Sequence, residues 1–169
     1  MKAVVGHNRT LAKGRFRVSC LAYKEPVEPD FNVEDPRRMS DVPAVLPPAV
    51  KDENNAHPIA RSWRPMLHNV VRCLVAGDYG LETGVFGVEP VPAKTAEHIR
   101  DYIAEYGATL GDLPEDSWQT SVAQWYGTHG DILVDLWTAE EGRSDLVLAG
   151  KIVDSPTGLR FTIHMVYVP

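Results

Sequence analysis

The sequence predicts an α+β fold, with two helices packed on one face of an antiparallel meander of four or more strands. Three observations carry this. Apolar residues recur at helical spacing over 63–74 and again over 99–106. Beyond Gly107 the period falls from 3.6 to 2. The segments of period 2 are joined by short glycine-bearing separators, which suit antiparallel hairpins and are too short for crossovers. Helices first and strands afterwards define the α+β class.

Three zones follow along the chain. Residues 1–24 read as one or two basic strands. In 15–23, Phe16, Val18 and Cys20 fall on one face and Arg15, Arg17 and Ser19 on the other. Residues 25–58 form a strap or linker with Pro26, Pro29, Pro36, Pro43, Pro47, Pro48 and Pro58, eight acids and no glycine. Proline removes amide donors and drives its predecessor toward extended geometry, so this zone reads as polyproline-like. Residues 59–169 form the α+β domain.

In that domain Ser62 is the expected cap of the first helix, with Pro65 tolerated in its first turn. Trp63, Leu67, Val70, Val71 and Leu74 make its apolar face, and Gly77 ends it. Thr95 is the expected cap of the second helix, whose face is Ile99, Tyr102, Ile103 and Tyr106, with Gly107 in the left-handed position after it. Strands are expected at 118–126, 131–138, 145–154 and 159–168. On the last of these Leu159, Phe161, Ile163, Met165 and Tyr167 share one face.

The chain has 169 residues, a formal net charge of -6 and a mean hydropathy of -0.21. No apolar run approaches the ~18 residues of a membrane helix, and collagen-like, coiled-coil and wholly disordered classes are excluded by composition. Charge is unevenly placed: residues 1–24 carry six basic and no acidic side chains, whereas 109–169 carry three basic and nine acidic ones. Six spread charges are a small footprint for a nucleic-acid binder, so pairing of the basic arm with the acidic body is the simpler expectation. Cys20 and Cys73 are the only cysteines and each has apolar neighbours, which predicts reduced, buried thiols. The amino terminus lacks the apolar core of a secretory signal, so the chain is expected in the cytoplasm.

Candidate chemistry is sparse. Asp135 stands between apolar neighbours on a strand, which predicts a half-buried carboxylate needing a cation or a hydroxyl. His164 lies on the last strand with Arg160 and Thr162, and Asp135 and His164 are the candidate base and acid if the domain is an enzyme. The hairpin Glu140-Glu141-Gly142-Arg143-Ser144-Asp145 concentrates charge at a tip and is a candidate recognition loop. Trp125 and Trp137 are candidate pocket walls or interface anchors. The six histidines show no H-x-H or H-E-x-x-H spacing, so no metal is expected, and no motif calls for a cofactor.

The run Val134-Asp135-Leu136-Trp137-Thr138, followed by Glu140-Glu141-Gly142-Arg143-Ser144-Asp145-Leu146, resembles a small uncharacterised bacterial domain family over about residues 60–168. That resemblance implies no activity. Helices followed by a long meander are also similar to the NTF2-like (cystatin-like) layout. This likeness implies a cone between helices and curved sheet, used for small-molecule catalysis or protein binding. The chain departs from it in having two helices where three are common.

Two functional readings stand. One is a non-enzymatic protein-binding domain, such as an immunity or regulatory protein, engaging a basic partner through Glu140, Glu141, Arg143, Asp145, Arg160 and the tryptophans. The other is a small-molecule or acid–base pocket of NTF2-like type built on Asp135 and His164.

Overall fold

The computed structural model describes residues 46–156 and 158–169. The expected strands of 1–24, the strap as far as residue 45, and Cys20 lie outside the described residues. Among the described residues there are two helices, α1 (Arg64–Val75) and α2 (Ala93–Tyr106), and six strands. The strands are β1 (His57–Pro58), β2 (Leu110–Gly111), β3 (Val122–Trp125), β4 (Gly130–Thr138), β5 (Gly142–Ser155) and β6 (Gly158–Tyr167). All pair antiparallel in one sheet of order β1-β3-β4-β5-β6. β2 shares the edge of β4 with β3: it pairs at Thr138 and Trp137, while β3 pairs over 130–133. The α+β class and the meander are as the sequence predicts.

Helix ends separate what is local from what is tertiary. α1 stops where expected, because Gly77 takes φ 78 and closes a Schellman turn. Its N–H donates to Leu74 O at 3.0 Å, and that of Asp78 donates to Cys73 O at 2.8 Å. Gly107 likewise adopts φ 81 after α2. The starts differ from expectation. Ser62 falls in a 3-10 turn (Arg61–Trp63), so α1 begins one residue later with Trp63 at its N-cap, and no side chain caps it. Thr95 lies inside α2, whose N-cap is Pro92. Pro65 does occupy the first turn of α1, where its missing N–H costs nothing.

One core joins the layers. Leu67, Val70, Val71 and Leu74 of α1 and Ile99 and Ile103 of α2 belong to one buried cluster with Ile132, Val134 and Leu136 of β4, Leu146, Leu148 and Ile152 of β5, and Phe161 and Val166 of β6. α2 packs along β6. The expected strand 118–126 is shorter in fact, because Glu115–Gln119 forms a 3-10 turn that delivers Trp118 to the core before β3 starts.

Two bulges break the period. Between β4 and β5, Asp135 pairs with Val147 but Trp137 pairs with Arg143, so β5 carries extra residues around Ser144. The Ser144 hydroxyl bridges the defect, donating to Leu136 O at 2.9 Å and accepting from Leu146 N at 3.3 Å. Between β5 and β6, Ala149 pairs with Met165 but Gly150 with Ile163, which leaves His164 as the extra residue. The face of β6 therefore changes after Ile163. Leu159, Phe161 and Ile163 point inward as predicted, but Val166 takes the next core position and Met165 is left 39% exposed.

The described end of the strap lies on the body. Trp63 Nε1 donates to Pro47 O at 3.2 Å, Lys51 pairs with Asp154 at 2.9 Å, and Gln124 Nε2 donates to Asp52 O at 3.3 Å. Among the described residues no helix is long and apolar enough to cross a membrane.

Candidate functional site

The hairpin between β4 and β5 is tied to the C-terminal end of α2, and the ties run through its acids. Gly142 at φ 75 turns the chain so that the strands can pair. Glu140 Oε2 accepts from Thr109 N at 2.8 Å, and Tyr106 Oη donates to Glu141 Oε2 at 2.6 Å while accepting from Asp145 N at 3.3 Å. Glu141 N donates to Thr138 Oγ1 at 3.3 Å, and Ala139 N to Thr109 O at 2.9 Å. These bonds hold Glu140 below the usual carboxylate range through the Thr109 donors, and push the Tyr106 hydroxyl up because its proton is held by Glu141.

A separate exposed row of α2 is also acidic. Glu97, Asp101 and Glu105 are exposed at i, i+4 and i+8. Arg100 pairs with Asp101 at 2.8 Å. The last turn of α2 carries no basic residue. Like charges at i, i+4 repel, and acids at a helix C-terminus oppose the helix dipole. Glu140, Glu141 and Asp145 are tied together at the end of α2 by Thr109 and Tyr106, and no basic residue of the last turn of α2 offsets their charge.

The remaining expected site residues are dispersed. Asp135 is half-buried on the sheet face away from the core, and its Oδ2 accepts from Thr120 Oγ1 at 2.5 Å. Its backbone N–H donates to Ser121 Oγ at 3.2 Å. His164 is exposed at its bulge, and partial burial lowers its pKa, with Lys151 and His129 adding and Asp131 opposing. Asp135 lies opposite Val147, which lies opposite Tyr167, three residues beyond His164. Two strand spacings and three residues of rise separate the two Cα atoms by about 14 Å. The structure does not bring this acid and base together.

Trp125 is buried, with Lys51 Nζ 5.3 Å from its ring centroid. It lines a cavity of about 30 Å³ beneath the strap, together with Trp63, His57 and Ile152. That is room for little more than one or two waters. Trp137 is half-buried and packs against Gly142, where an added Cβ would lie 3.4 Å from the ring. Its Nε1 is buried without a partner among the described residues. Arg143 is exposed opposite Trp137, and Arg160 pairs with Glu89 at 3.2 Å. Among the described residues no group of three His, Cys, Asp or Glu side chains is arranged to hold a metal.

Tyr106 and Thr109 were not legible as site residues. Tyr106 reads as part of the apolar face of α2, and only the structure shows its hydroxyl reaching the hairpin. The 97, 101, 105 spacing of acids was visible in the sequence.

A family model described as Domain of unknown function (DUF7668) matches residues 71–169, and the chain belongs to that family. The match takes in the run from Val134 to Leu146, in keeping with the resemblance to an uncharacterised domain family. No curated protein matches the chain, and no solved structure does.

Proposed function

We propose that the domain is a non-enzymatic binding module, of immunity or regulatory type, that engages a basic protein partner at the α2–hairpin corner. The observation that carries this reading is the pinning of Glu140 and Glu141 by Thr109 and Tyr106 at the C-terminal end of α2. Acids already held in fixed positions lose little conformational freedom when an external cation arrives, so more of the attraction appears as affinity. The net charge of the surrounding body adds steering: residues 46–169 carry nine basic and seventeen acidic side chains. Trp137, just behind the hairpin, supplies an aromatic anchor to the same corner.

An acid–base pocket of NTF2-like type has less support, because Asp135 is engaged by Thr120 and lies about 14 Å from His164 by strand spacing. The small cavity under the strap does not change this.

The test is fluorescence anisotropy with a labelled Lys/Arg-rich peptide and the full chain. Saturable binding is expected, weakening about tenfold or more between about 50 and 300 mM salt. Replacing Glu97→Gln, Glu105→Gln and Glu141→Gln together is expected to weaken it by about tenfold as well. Tyr106→Phe keeps every charge but releases Glu141, and is expected to lose part of the affinity. No saturable binding, or equal binding by the triple variant, overturns the reading.

A further inference from the structure

β6 is an edge strand of ten residues, and among the described residues its outer side is covered only near one point. The Phe161 N–H donates to Gly87 O and its C=O accepts from Glu89 N, both at 2.8 Å. Ile163, two residues on, presents its backbone to the same side, and no backbone bond from another described segment reaches the outer edge between Thr162 and Tyr167. The strand contains neither lysine nor proline within 158–167, and of the devices that blunt a free edge it carries Arg160 near the covered point and the single bulge at His164. Apolar side chains are exposed along it: Phe86 at 69% beside the covered point, and Met165 and Val168 at 39% each toward the far end. The opposite edge is blunted, since β1 has two residues and ends in Pro58.

We propose that residues 15–23 of this chain dock along the free edge of β6 as an added strand. Two facts select this occupant over a second copy. The described chain begins at Leu46, whose Cδ1 lies 2.9 Å from where a Cβ of Gly87 would be, so its first described residue sits beside the covered end of this edge. The 22 residues between 23 and 46 span up to about 70 Å when extended, far more than the edge requires. Charge also selects it. Residues 1–24 carry six cations and no acid against a body with seventeen acids and nine bases, and α2, packed along β6, exposes Glu97, Asp101 and Glu105. A second copy would bring a like-charged body instead. The alternation of Phe16, Val18 and Cys20 with Arg15, Arg17 and Ser19 gives one apolar and one cationic face, as strand addition needs. This inference does not depend on the partner-binding reading.

Amide hydrogen exchange on the full chain tests it. In the wild type, amides within Ile163–Tyr167 that point away from β5 are expected to be protected. In the full chain carrying Phe16→Asp and Val18→Asp they are expected to exchange about tenfold faster or more, with Ile132–Leu136 of β4 unchanged as control. Should the control open too, Val18→Ser is read in the same way. Fast exchange in the wild type, or protection unaltered in the variants, overturns the proposal. Protection that rises with protein concentration assigns the edge to a second copy and overturns it as well.

Discussion

Gly150 shows how one residue fixes a local geometry. A Cβ there would overlap the Phe161 ring and come within 2.7 Å of Thr162 O, so the β6 bulge and the inward Phe161 both depend on the missing side chain. Gly150→Ala is expected to destabilise the fold by about 2–3 kcal/mol, the usual scale of overpacking, read as a lower urea midpoint at unchanged slope. Asp52 acts through charge. Its carboxylate accepts from Asn55 Nδ2 and Asn54 N and meets His57 Nε2 at 2.9 Å, which lowers its pKa from 3.8 to about 2. A depressed carboxylate contributes stability above its unfolded pKa and loses it as pH falls through the folded one. Asp52→Asn is therefore expected to lower the thermal midpoint at pH 7, with the gap to wild type closing between about pH 4 and pH 2. A gap that persists at the acid end contradicts the assignment.

At the scale of elements, Ser144 carries the bulge opposite Leu136. Its buried hydroxyl serves one carbonyl and one N–H that the interrupted ladder leaves behind. Ser144→Ala is expected to cost about 1–3 kcal/mol by stranding them, again visible in urea unfolding. Such features mark the limit of reading by pattern. Gly77 and Gly107 were legible as helix stops because a left-handed residue after a helix is a local requirement. Ser62 and Thr95 were misleading as starts, because a 3-10 turn before α1 and Pro92 before α2 fix the entry of the chain instead. The strands β4, β5 and β6 were legible from alternation and their glycine turns. β1 and β2, two residues each, are too short to have a period, and the reversal of face at His164 comes from a bulge that alternation cannot show.

At the scale of the whole molecule, the candidate site was half legible. Glu140, Glu141 and Asp145 stood out as a charged hairpin tip, but a tip reads as isolated until a partner element is known. Tyr106 and Thr109 supply that element from the end of α2, and a contact across more than thirty residues leaves no mark in local sequence. Asp135 was legible as a half-buried acid needing a partner; that the partner is Thr120 depends on how the turn before β3 meets β4. The central claim is that one rigid acidic corner, and not diffuse surface charge, receives a basic partner. Its most direct test is a titration of the ¹⁵N-labelled full chain with a Lys/Arg-rich peptide, followed by amide chemical shifts. The account predicts saturable shifts confined to residues 97–109 and 137–145, including the Trp137 indole. Shifts spread evenly over Glu53, Glu82, Asp116 and the other exposed acids, or none at all, would contradict it.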